Sequence, residues 1–173
     1  MQFKLDQAIE VLTQTPEVLS ALLRGKSTMW VNCRTTPESF SPLDVIGHLI
    51  HADKTNWIPR ARLILGGHGS RPFEPFDRFA FQASLDGKTA ERLLDEFAEA
   101  RRLSLETLHN LGICAQHLKL TGTHPEFGNV TLSNLLATWV VHDLGHLSQV
   151  VKTMASAYRD AVGPWCAYLS ILN

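Results

Sequence analysis

The stretch LLATWVVHDLGHLSQVV, residues 135–151, carries two histidines four apart, His142 and His146, in an otherwise largely apolar run. At about 100° per residue, Leu132, Leu135, Leu136, Trp139, Leu147, Val150 and Met154 form one stripe, which predicts a helix with that face turned to a core. His142 and His146 fall on its flank, about 40° apart. Residues four apart hold their Cβ atoms about 6 Å from each other, so both imidazoles can reach one ion, or each can hydrogen-bond across a bundle. Asp143 lies near the centre of the stripe, where an unpaired carboxylate is costly. It is expected to find a partner, either an imidazole N–H or a group on a facing helix.

The letters HDLGH depart from the H-E-x-x-H zinc-protease pattern at its second position. There Asp143 is too short to serve as the general base. No His or Glu follows His146, so a downstream third ligand of that class is missing, and no sheet of convincing length accompanies the motif. Protease chemistry is set aside.

Working outward, three more long helices are expected. The first spans about Phe3–Arg24, with a step at Thr15-Pro16, and Gly25 closes it. The second opens on SPLD, with Ser41 as cap, Pro42 in the first turn and Asp44 reaching back. It runs to Leu65 with a kink at Pro59. The third spans about Lys88–Leu111, and the helix carrying the two histidines runs from Thr131 to about Tyr158. Four helices of about 20 residues, each about 30 Å long, predict an all-α, antiparallel four-helix bundle. HLKLTGTHPEFGNVTL has room for a short hairpin at most. Residues 67–87, rich in phenylalanine (Phe73, Phe76, Phe79, Phe81), form a long loop after the second helix, expected to cover one end of the bundle. A short segment follows the last helix.

The 173 residues fit one domain spanning 1–173. A net charge of −1 provides no global field for nucleic acid or an anionic membrane, and neither is an expected partner. The three cysteines, Cys33, Cys114 and Cys166, are widely spaced and odd in number, which argues against a disulfide framework and for a cytoplasmic home. The N-terminus lacks a signal-peptide core, and no segment has the roughly 20 apolar residues of a membrane span.

The second helix adds His48 and His51 in VIGHLIHAD. A ligand from a facing helix is how bundles build metal sites, and on the wheel either histidine qualifies. His68, His109, His117 and His124 read as surface or helix-end residues.

At this point the chain resembles the DinB/YfiT-like family of metal-dependent helical-bundle proteins. TPEVLSALLRG (15–25), SPLDVIGHLIHADKTNWIPRARLIL (41–65), TGTHPEFGNVTLSNLLATWVVHDLGHLSQV (121–150) and YRDAVGPWCAYLSIL (158–172) carry the resemblance. That family's pattern, one histidine in the second helix and H-x-x-x-H in the last, falls on His48, His142 and His146. Phe40 stands where the family commonly has Trp, and Asp53 where many relatives have Glu.

The resemblance implies a bound divalent ion, often a homodimer, and in characterised relatives transferases and isomerases that use low-molecular-weight thiols. Three neutral imidazoles leave open positions on an ion for water or a thiol. Such donors suit zinc or nickel first, and also iron, cobalt, copper or manganese. The expected function is a metal-dependent hydrolase or thiol transferase, with a non-enzymatic metal or small-molecule binding bundle as the competing class. His51 and Asp53 are the candidates for a general base, Asp143 is a supporting residue, and Cys114 is a remaining candidate donor.

Overall fold

Ser41 Oγ accepts from the Asp44 amide at 3.1 Å, and Asp44 Oδ2 accepts from the Ser41 amide at 2.8 Å. This capping box starts the second long helix where the sequence places it. The computed structural model describes residues 2–68 and 71–173. Met1, and Gly69 and Ser70 of the expected 67–87 connection, lie outside the described residues.

The elements are α1 (Leu5–Leu23), a short α2 (Thr28–Asn32), α3 (Pro42–Ala52), a π-helical turn (Asp53–Trp57), α4 (Ile58–Leu65), α5 (Ala90–Asn110), the antiparallel hairpin β1 (Thr121–His124) and β2 (Gly128–Thr131), and α6 (Leu132–Ser156). Short 3₁₀ turns follow α6. The two prolines act differently from expectation. α1 runs through Pro16 without a new start, so the Leu12 carbonyl, which Pro16 has no N–H to satisfy, turns to another partner. Before Pro59 the second long helix widens into the π turn rather than merely kinking.

The four long rods are α1, α3 with α4, α5 and α6. α1 packs on α5 and α6, and α3 packs on the same two. The first and second rods therefore sit diagonally, as do the third and fourth. Diagonal neighbours need long crossings, and α2 and the hairpin occupy those two crossings.

Two apolar clusters fill the interior. One gathers Leu12, Trp57, Leu108, Leu135 and Trp139; the other gathers Leu19, Leu23, Ile46, Leu49, Phe97 and Val150. The connection after α4 is fastened at both ends by close approaches to glycine. A Cβ on Gly122 would meet Phe73 Cζ at 2.7 Å, and one on Gly47 would meet Leu85 Cδ2 at 2.6 Å and Phe81 Cδ2 at 2.8 Å. Between these fastenings the segment presents Phe76, Arg78 and Phe79 to a cleft beside α3 and α6. Among the described residues, no helix is long and apolar enough to cross a membrane.

Candidate metal centre

Position 48 on α3 and positions 142 and 146 on α6 bring three imidazoles together. His48 Nε2 lies 3.0 Å from His142 Nε2, and His146 Nε2 lies 3.2 Å from the same atom. A tetrahedral ion with nitrogen ligands at about 2.0–2.1 Å separates its donors by about 3.3 Å, so this donor set fits one.

The outer nitrogens fix the tautomers. His48 Nδ1 faces the Arg78 carbonyl at 3.2 Å, and His146 Nδ1 faces Gln149 Oε1 at 2.9 Å. His142 Nδ1 faces Asp143 Oδ1 at 3.6 Å, and each of these two buried atoms has no hydrogen-bond partner among the described residues. Carbonyl oxygens accept, so Nδ1 of His48 and of His146 carries the proton and each Nε2 presents a lone pair; for His142 the Asp143 carboxylate, too far for a hydrogen bond, favours the same tautomer by its charge. Three lone pairs then converge, an arrangement that repels unless a cation sits among them.

Burial, followed by the neighbouring His146 and His142 rings, lowers the pKa of His48 to about 4, although the Arg78 carbonyl opposes the shift. Burial and the His142 ring likewise lower His146 to about 4. Both are neutral at pH 7, the form that binds metals.

The cleft above the triad encloses about 460 Å³ and is lined by Glu38, Phe40, Asn56, Phe76, Arg78, Phe79 and Gln149 as well as the histidines. Phe40 and Phe76 lie with ring centroids 5.6 Å from His48.

The sequence profile of the DinB superfamily matches residues 12–150, which take in all three histidines. The chain belongs to the DinB superfamily. Solved structures that share the fold include the following two. YfiT from Bacillus subtilis, a probable metal-dependent hydrolase with an unusual four-helix bundle topology, matches with a TM-score of 0.70 at 21% identity, over 91% of this chain and 87% of YfiT. TT2238, a four-helix bundle protein, matches with a TM-score of 0.58 at 20% identity, over 84% of this chain and 97% of its own. No curated protein sequence matches the chain.

In this DinB-superfamily bundle the other sequence candidates fall away from the cleft lining. His51 stacks on Phe76 with centroids 5.1 Å apart, and of the two it is Phe76 that lines the cleft. Cys114 is exposed, and its amide donates to His117 Nδ1 at 3.3 Å. His124 stacks on Phe127.

Asp53 is buried and gripped by a residue that sequence reasoning did not single out. Arg101 Nε donates to Asp53 Oδ2 at 2.8 Å and Arg101 Nη2 to Asp53 Oδ1 at 3.1 Å. Arg101 Nη1 donates to Asp143 Oδ2 at 2.6 Å and to the Leu12 carbonyl, the one Pro16 leaves free, at 2.8 Å. The guanidinium lies 5.1 Å from the ring centroids of both Phe97 and Trp139, between the two apolar clusters. Burial pushes Asp143 up, but His142, Arg101 and Thr15 outweigh it and the net shift is downward. Burial pushes Asp53 up to about 6 against the pull of Arg101, and the nearby Asp143 carboxylate adds a smaller push in the same direction. A sequence signal for Arg101 exists: it shares a helical face with Leu94, Phe97 and Leu108, where a charge is out of place.

Proposed function

We propose that this protein is a metal-dependent enzyme whose divalent ion is held by His48, His142 and His146, and that it uses water or a low-molecular-weight thiol as nucleophile, as a hydrolase or a thiol S-transferase. The observation that carries the reading is the convergence of three Nε2 lone pairs at the floor of an open cleft. The likeness to YfiT, a probable metal-dependent hydrolase, supports the same reading. Zinc or nickel suits three imidazoles best.

When bound, the ion supplies Lewis acidity that favours the deprotonated nucleophile near neutral pH. The chain's own residues do the rest. The Arg78 carbonyl, Asp143 and Gln149 hold the ring tautomers that aim lone pairs inward. Phe40, Phe76 and Phe79 give the cleft apolar walls that exclude water and grip an apolar substrate body. Asp53 and Asp143 are closed off by Arg101, so proton exchange with a nucleophile in the cleft falls to Glu38, the carboxylate on its lining.

A homodimer belongs to the same reading. Trp165 is 70% exposed and Tyr168 86% exposed on the C-terminal segment, which supports a contact between copies, whereas Trp57 is core and stacks on Trp139. Light scattering on a sizing column tests it.

The enzymatic claim is tested by offering glutathione, bacillithiol, mycothiol and simple esters to metal-loaded and metal-stripped protein. Turnover, or a ligand-field change on thiol addition that is lost in His48→Ala, supports it. Silence across both substrate classes with metal bound would make the chain a binding bundle instead.

A further inference from the structure

At the centre of the bundle three formal charges lie buried together where packing alone asks for none. Arg101 is 1% exposed, Asp53 3% and Asp143 0%. Replacing such a group by apolar side chains is often neutral or stabilising, so stability by itself is a poor reason to keep it. Two features of its placement point elsewhere. First, α5 supplies no histidine to the triad, yet its Arg101 is bonded to α1 through the Leu12 carbonyl, to the π turn through Asp53 and to α6 through Asp143. Second, the chain of contacts ends on a ring of the triad: the Asp143 oxygen not used by Arg101 is the one facing His142 Nδ1.

We infer that Asp53 and Arg101 are positioning residues for the metal centre, acting on the ion through Asp143 and His142. Arg101 fixes the Asp143 carboxylate so that Oδ1 faces the outer nitrogen of His142, and this keeps the proton on Nδ1 and the lone pair on Nε2. Asp53 fixes Arg101 with a two-point grip that sets the plane of the guanidinium. Two carboxylates against one guanidinium leave the group with one net negative charge, which favours a dication over an empty triad. The π turn has a place in this scheme. It carries Asp53 into the interior, with the Ser104 hydroxyl donating to the Asp53 carbonyl at 3.3 Å, while Asn56 of the same turn lines the cleft.

The inference rests on the metal reading above, and the experiment separates the two. Zinc affinity by chelator competition, the visible spectrum of the cobalt-loaded protein and the melting temperature of the metal-free protein are measured for untagged full-length chains. The chains are wild type, His142→Ala, Asp53→Asn, Arg101→Lys and a core control, Leu19→Ala. Asp53→Asn and Arg101→Lys are each expected to weaken zinc binding by roughly 10- to 100-fold and to shift the cobalt bands. Leu19→Ala is expected to lower the melting temperature and leave affinity and spectrum at wild-type values.

Wild-type affinity and an unshifted spectrum in folded Asp53→Asn would overturn the inference, leaving the buried trio as a cross-link of the bundle. If Arg101→Lys does not fold, Asp53→Asn decides alone. Wild-type protein without stoichiometric zinc, or His142→Ala with wild-type affinity, would instead overturn the metal reading and the inference with it.

Discussion

His48 and His142 meet through their Nε2 atoms at 3.0 Å, with one ring from each of two packed helices and a hydrogen-bond acceptor behind His48. A cation that binds between those atoms in the folded chain and not in the unfolded one would raise stability. At a free zinc concentration of 100 times Kd the gain is about 2.7 kcal/mol. Thermal melts of metal-stripped protein with and without added zinc are expected to show this rise, and the same additions to His48→Ala should show almost none.

The metal-free protein should lose stability as pH falls from about 6.5 towards 4. Burial, with the neighbouring rings, holds the folded pKa of both His48 and His146 at about 4, below the ordinary value of 6.5. In that window the unfolded chain takes up protons that the folded chain refuses, so unfolding is favoured. Asp53, raised from 3.8 to about 6, works in the opposite sense, because the folded state is then the one that binds the proton. Two histidines outweigh one carboxylate. Urea melts of stripped protein at pH 7 and pH 5 check the sign; equal midpoints would contradict it.

Gln149 receives the His146 Nδ1–H at 2.9 Å. Gln149→Leu removes that acceptor and frees the ring to adopt the other tautomer. Zinc affinity, read by chelator competition, is expected to fall by roughly 10- to 100-fold. Gln149 lines the cleft and is only half-buried, so the metal-free melting temperature should barely move.

Gly47→Ala drives a methyl group against Leu85 and Phe81, at 2.6 and 2.8 Å. Leu85 and Phe81 fasten one end of the segment that carries Phe76, Arg78 and Phe79, and the Arg78 carbonyl is the acceptor for His48. The substitution should cost about 1–3 kcal/mol by overpacking. It should also loosen the grip on His48, so zinc affinity falls along with the denaturation midpoint. A full loss of stability with unchanged affinity would show that the segment does not brace the ligand.

Local features were the legible ones. The Ser41–Asp44 box, the Thr131 start of α6, the apolar stripe and the facing pair His142 and His146 depend on residues within a few positions of each other, and each stands as read. Asp143 was legible as a buried carboxylate needing a partner, although the partner was not. The ring order of the helices was hidden because it is set by crossings rather than by periodicity. Spacing left His48 and His51 equal; in space His48 meets His142 whereas His51 stacks on Phe76, from a loop 25 residues further on. Arg101 was hidden by its neighbour. Arg102 is exposed and paired with Glu99 and Glu106, and the two arginines look alike in sequence, while one faces solvent and the other the core. Pro16 read as a helix start because that is where proline is cheapest; its buried use, releasing the Leu12 carbonyl to Arg101, needs a partner 89 positions away.

Metal titration by isothermal calorimetry, on protein purified without an affinity tag and stripped of metal, tests the three-histidine centre most directly. Zinc is expected to bind at one ion per chain in wild type, with that site lost in His48→Ala, His142→Ala and His146→Ala alike. Wild-type protein that takes up no stoichiometric zinc or nickel, or a His142→Ala variant that binds as wild type does, would contradict it.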